Sequence, residues 1–217
     1  MELSYKLSEG KASFTAALID DDDEVVAGVP VQFAAVTDET EVEIGEVITD
    51  NNGIAVLGNI ELSKLNMDST HQFEVQASFA GNDDYEGISE SGSWKELKME
   101  LILNDEEDTK MVGVQLNTWN DQGEPVPVEE GEVYFYVPRL FSLLPIGDAW
   151  TEEEGYDEIK FPSDLPGDIN GDLTIVGRIE DDDTYGNVEA RIESDWGTIP
   201  IVETKLPRAL WSSRPPV

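Results

Sequence analysis

Four consecutive aspartates and a glutamate sit between two apolar segments in Leu18–Phe33, LIDDDDEVVAGVPVQF. Carboxylate and amide oxygens arriving from separate loops are what calcium takes, six to eight of them in a flexible shell. The residues that could supply them are Asp20, Asp21 and Asp22, with Asp50 and Asn51 of DNNG and Asp83 and Asp84 of GNDD. Asn120-Asp-Gln-Gly123 and Glu180-Asp-Asp-Asp183 echo them in the second half of the chain. The same residue types are also what tight turns demand for backbone reasons. A solvated loop is therefore the favoured reading of the acidic run, with Ca2+ as the alternative and no cofactor required. Asp168-Ile-Asn-Gly-Asp172 has acids and an amide at positions 1, 3 and 5 of a calcium loop, but Leu173 replaces the glycine at position 6 and Ile179 the acid at position 12. That loop is read as a turn leading into a strand.

Other chemistry is scarce. There is no cysteine, which excludes disulfides and thiolate metal sites, and the single histidine, His71, leaves little room for zinc or a Ser-His-Asp system. Acids are too abundant for any pair of them to signal a hydrolase, and no nucleophile-elbow, phosphate-loop or zinc-protease motif occurs. No enzymatic activity is expected. Trp119, Phe141 and Trp150 are the candidates for an aromatic ligand-binding surface, against the plainer expectation that the loop around them packs on its own sheet.

The charge bounds the partners. Forty-eight acids against thirteen bases give a net charge of -35, so nucleic acid is excluded as a partner because phosphate recognition needs a basic face. The N-terminus lacks the basic and apolar regions of a signal peptide, and no apolar run approaches membrane-spanning length. Lys205–Val217, KLPRALWSSRPPV, is basic, carries a tryptophan and has no acid, a composition suited to the approach to a membrane. Anchoring through sequence beyond Val217 is an expectation, a frayed tail the alternative.

Strand signals run throughout. In HQFEVQASFA, Phe73, Val75, Ala77 and Phe79 fall on one face and Glu74, Gln76 and Ser78 on the other, the two-residue period of a half-buried antiparallel strand. Short strands at regular spacing bounded by Gly, Asn and Asp predict an all-β sandwich or barrel. The plan then repeats: MVGVQLNTWNDQGEPVPVEEGEVYFYV follows KASFTAALIDDDDEVVAGVPVQFAAV, with Phe14 matched to Val114 and Tyr85 to Tyr185 at a spacing of 100. Residues 1–103 and 104–205 are thus expected to be two domains joined by the charged stretch Asn104–Asp108. An insertion is expected at about 138–157 in the second, and residues 206–217 form the basic tail.

Ala27-Gly-Val-Pro-Val-Gln-Phe33, Ile48-Thr-Asp-Asn-Asn-Gly-Ile-Ala55 and Val75–Tyr85 resemble the bacterial immunoglobulin-like domains repeated in invasin-like adhesins. The second copy departs from that pattern in lacking a clear TDxxGxA element. The resemblance implies two tandem immunoglobulin-like antiparallel β-sandwiches and a periplasmic or cell-surface location. It also implies a non-enzymatic structural, adhesive or interaction role toward a protein or surface-glycan partner. It says nothing of the ligand, since one fold hosts many functions.

Overall fold

The computed structural model describes residues 1–200 apart from 21, 38, 39, 107 and 108, and the tail expectation for 206–217 lies outside the described residues. The first seven strands are β1 (Glu2–Ser8), β2 (Lys11–Ala17), β3 (Pro30–Val36), β4 (Glu41–Ile48), β5 (Ile54–Glu61), β6 (Gln72–Phe79) and β7 (Ile88–Lys95). Eight more follow: β8 (Lys98–Glu106), β9 (Thr109–Trp119), β10 (Pro125–Pro127), β11 (Glu132–Pro138), β12 (Leu143–Trp150), β13 (Tyr156–Lys160), β14 (Leu173–Asp182) and β15 (Gly186–Ser194). The only helical element among the described residues is a 3-10 turn at Leu62–Lys64, and no helix is long and apolar enough to cross a membrane.

The alternation read from the sequence is realised. β6 buries Phe73, Val75, Ala77 and Phe79 while the residues between them are partly exposed or solvent-facing. In the first sandwich β1, β2 and β5 face the sheet β4-β3-β6-β7, and Phe14 lies fully buried between the layers with Tyr5, Phe73 and Trp94. Ring centroids in this group are 5.1–6.4 Å apart, in stacked, tilted and edge-on arrangements. In the second sandwich β8, β9, β10 and β13 face β12-β11-β14-β15, around Val112, Val114, Phe135 and Ile175. The fold is therefore two immunoglobulin-like antiparallel sandwiches.

The internal repeat is closer than the sequence suggested. Phe33 opposite Gly45 begins a bulge in the β3–β4 pair, and Phe135 opposite Gly147 does the same in β11–β12. Thr49 accepts a hydrogen bond from the Val29 N–H and donates to the Val26 carbonyl; Thr151 accepts from Gly131 and donates to Val128. Thr151-Glu-Glu-Glu-Gly155 is thus the counterpart of Thr49-Asp-Asn-Asn-Gly53. The stretch 138–157, expected as an insertion, is the ordinary β11–β12 hairpin and the turn after it. The two turns share only the threonine and the glycine, at φ +68° for Gly155 and +73° for Gly53. Glutamates at the intervening exposed positions hid the later one.

Two further expectations shift. The Leu18 N–H bonds to the Gly53 carbonyl and the Leu116 N–H to that of Gly155, so Phe14 corresponds to Val112, not Val114. A slip of two keeps every side chain on its own face and is invisible to periodicity. Asn104, Asp105 and Glu106 lie in β8, paired with Met111, Lys110 and Thr109, so these three belong to a strand and not to a linker, while 107 and 108 lie outside the described residues. The chain passes between sandwiches at Glu96–Leu97, where Leu97 is buried.

Candidate functional site

Three acid-bearing turns of the first sandwich gather at one end. β2 ends beside the start of β5 (Ala17 opposite Ile54), and β3 starts beside the end of β6 (Gln32 opposite Ser78). That geometry brings the turns after Leu18, Thr49 and Phe79 together. Asp20, Asp22 and Asp84 line one groove with Ile19, Tyr85 and Ile88; Asp83 is exposed on the same turn as Asp84, and Asp50 and Asn51 are exposed on the turn beside Gly53. Asp21 lies outside the described residues.

Each turn is built by its own first acid or amide. Asp20 Oδ1 accepts from the N–H groups of Asp22 and Glu24, both at 2.9 Å. Asp50 Oδ1 accepts from Asn52 and Ile54 at 2.8 and 3.0 Å, and Asn82 Oδ1 from Asp84 and Tyr85 at 2.9 and 2.8 Å. Asn120, Asp168 and Asp182 repeat the device in the second sandwich. These oxygens replace missing backbone partners, the reason Asp and Asn populate turns. The N–H groups of Ile54 and Asn52 hold the Asp50 carboxyl below its ordinary range. Among the described residues no three His, Asp or Glu side chains are placed to hold one metal ion.

The aromatic candidates do not converge. Phe141 is at the tip of the β11–β12 hairpin and is almost fully exposed, as is Leu140, so packing on the sheet, expected for this stretch, does not hold for these two. Trp150 sits at the other end of the hairpin, opposite Glu132. Trp119 is taken up in the joint between the sandwiches: its ring stacks on His71 at 4.2 Å between centroids and 3° between planes, while His71 Nδ1 meets Glu96 Oε2 at 2.6 Å.

The joint itself was not legible in the sequence. β1 pairs in parallel with β15, Lys6 opposite Asn187, Leu7 opposite Val188 and Ser8 opposite Glu189. This pairing fuses β1-β2-β5 and β12-β11-β14-β15 into one seven-stranded sheet. The Lys95 N–H also bonds to the Thr184 carbonyl at 2.8 Å, and Thr118 Oγ1 to the Glu96 carbonyl at 3.2 Å. Gly186 is required where β15 starts: φ is +64° and a Cβ would stand 2.8 Å from the Tyr5 ring.

Beside this seam lies Glu189, its side chain 1% exposed. Glu189 Oε2 accepts from Lys6 Nζ at 3.0 Å and from Arg178 Nη2 and Nε at 2.7 and 2.8 Å; Oε1 accepts from Arg191 Nη2 and Nε at 2.8 and 2.9 Å. Burial pushes the carboxyl up, but hydrogen bonds from Lys6 and Arg191 and the charges of Lys6 and Arg178 outweigh it and hold it at about 2. Three of the thirteen bases of a chain of net charge -35 are spent on this one carboxylate.

No family model and no curated protein matches the chain. Among solved structures it is similar to a tetra-tandem repeat in the extending region of a large adhesion protein, with 14% identity over 88% of this chain, a TM-score of 0.32 and 48% coverage of the other. This chain thus spans about half the length of that tandem-repeat chain. It is also similar to the D0-D1 domain of intimin, with 17% identity, 91% of this chain and 98% of that one covered, and a TM-score of 0.32.

Proposed function

We propose that this chain is a non-enzymatic structural and adhesive module of a bacterial cell surface. Its two sandwiches would act as one stiff spacer that carries the acid-bearing turns of the first sandwich away from the cell toward a protein or glycan partner. The observation that carries this reading is the continuous sheet across β1 and β15. A linker of a few residues would leave two such domains free to swing. Here backbone hydrogen bonds, the His71–Trp119 stack and the Glu189 cluster all cross the joint. The dense surface charge then keeps the spacer soluble, since like charges are screened beyond about 8 Å at physiological salt.

The test is geometric. Because the chain has no cysteine, spin labels can be placed at Ser89→Cys and Ser142→Cys, one exposed position in each sandwich. A single narrow distance distribution is the expected result. A broad or bimodal one would remove the stiff-spacer reading.

The gathering of three acid-bearing turns at one end favours a second reading, a calcium-dependent module using Asp20, Asp22 and Asp84 with their neighbours. Thermal melts at matched ionic strength separate the two. For turns held by their own backbone bonds, calcium raises Tm no more than magnesium does; a larger rise with calcium alone would make the metal part of the function.

A further inference from the structure

β15 is parallel to β1 and antiparallel to β14, which is antiparallel to β11. The ends of β11 and β15 therefore point the same way, away from the end of the first sandwich where β1 begins and the acid-bearing turns gather. At this far pole the chain leaves β15, crosses Trp196 and reaches Thr198, whose N–H bonds to the Leu165 carbonyl at 2.7 Å. The hairpin tip is fastened beside it: Arg139 Nη1 bonds to the Pro166 carbonyl at 2.7 Å, and Pro166 bridges Thr198. Four large apolar side chains stand out from these segments, Leu140 at 87% exposed, Phe141 at 93%, Ile169 at 77% and Ile199 at 63%.

Nothing in the fold demands apolar residues there. The matching hairpin of the first sandwich closes in the same way, with the Thr37 N–H on the Thr40 carbonyl at 2.8 Å where Arg139 meets Ser142 at 2.7 Å, yet it reads Thr37-Asp-Glu-Thr40. The two copies thus share a turn and differ in its chemistry. A Leu-Phe pair fully open to water on a fixed hairpin costs solubility and contributes nothing to the core.

We infer that Leu140 and Phe141 dip into the interfacial layer of a lipid bilayer, with Ile169 and Ile199 beside them, and so stand the molecule on its membrane. The choice of a bilayer over another occupant rests on where the chain goes next. From this pole it runs into residues 201–217, which from Lys205 onward carry Lys205, Arg208, Arg214 and Trp211 and no acid. Exposed apolar anchors and a basic, tryptophan-bearing stretch in one chain are the two signals that together hold a protein at a membrane surface, where either alone binds weakly. Asp164, Asp168, Asp172 and Asp195 on the same pole oppose anionic headgroups, so the apolar pair must supply contact that does not depend on lipid charge. This inference rests on the cell-surface reading above, but the spacer geometry is tested without lipid and survives its failure.

The experiment is co-sedimentation of the full chain with phosphatidylcholine vesicles, and with vesicles containing 30% phosphatidylglycerol, at about 0.15 M and about 1 M NaCl, salt levels at which the Debye length falls from about 8 to about 3 Å. Partition of the wild type onto phosphatidylcholine, reduced about tenfold or more in L140S/F141S and unchanged in I48S, is the expected result. Ile48 serves as control because it is an exposed apolar residue at the other pole. Both variants should keep the wild-type Tm, since the side chains are solvent-facing. Failure to bind either vesicle overturns the proposal, as does binding that L140S/F141S leaves unchanged. Binding only to the anionic vesicles and lost at the higher salt would assign attachment to the basic stretch alone. A concentration-dependent dimer abolished by L140S/F141S, without lipid binding, would assign the tip to a second copy of the chain.

Discussion

Glu189→Gln is expected to lower the stability of the whole chain by roughly 2 kcal/mol near neutral pH. Moving a carboxyl from 4.5 to about 2 corresponds to roughly 3 kcal/mol at 1.36 kcal/mol per pH unit. The Lys6 and Arg191 side chains are 44% and 47% exposed, and solvent screening at those heads reduces the figure. The variant also leaves Lys6, Arg178 and Arg191 close together with no counter-charge. The direction with pH follows from the depressed value in the folded state. The carboxylate's contribution is complete above pH 4.5 and is lost as pH falls toward 2. Urea midpoints of wild type and variant should therefore differ clearly at pH 7 and converge between pH 4.5 and pH 2. Equal midpoints at pH 7, or a gap that persists in acid, would mean that the cluster does not stabilise the seam.

Phe14→Ala carries the largest expected loss, about 3–5 kcal/mol. Phe14 is fully buried and touches three other aromatic rings, so truncation removes both transfer energy and ring contacts and leaves a cavity that the flanking strands cannot close. In a chain of this size each kcal/mol moves Tm by about 2–4 °C, giving a drop on the order of 10 °C. The form of the transition is as informative as its position. Phe14 lies only in the first sandwich, yet its neighbour Tyr5 is on β1, the strand that also pairs with β15. With the sandwiches coupled through that strand, a single calorimetric transition should move as a whole. Two separated transitions, with only one of them shifted, would show that the continuous sheet does not couple unfolding.

These expectations stand on different levels of the molecule. The apolar face of β6, the Asx geometry at Asp20 and Asp50 and the repeat of one sandwich after another follow from local rules: a two-residue period and the preference of Asp, Asn and Gly for turns. The first two were readable in the chain because each depends on residues within about ten positions of one another, and the third because the same local signals recur about 100 residues later. The opening run of aspartates belongs here too, since Asp20 holds its own turn through the Asp22 and Glu24 N–H groups. At 104–106 and 138–157 the expectation differs from the fold, because charged residues disguised a strand and a turn whose backbone is marked by a threonine, a glycine and a buried alternation.

The joint and the far pole are of another kind. Lys6 and Glu189 are separated by most of the chain, and neither a lone lysine in ELSYKLS nor a glutamate in NVEARIES marks a partner. Trp119 read as a candidate ligand platform until the fold brought it against His71. The loop holding Leu140 and Phe141 was expected to pack on its sheet, with Phe141 a ligand-surface candidate as the alternative, and only the closed hairpin leaves both in water. The sequence by itself determined the strands, their buried faces, the turns and the duplication, because these are fixed by short-range sterics and periodicity. The tertiary structure alone decided that the two sandwiches share one sheet, that a buried carboxylate draws in three scarce cations, and that the chain departs from an apolar pole. Those depend on which edges meet, and edge pairing between distant strands leaves no periodic trace in either of them.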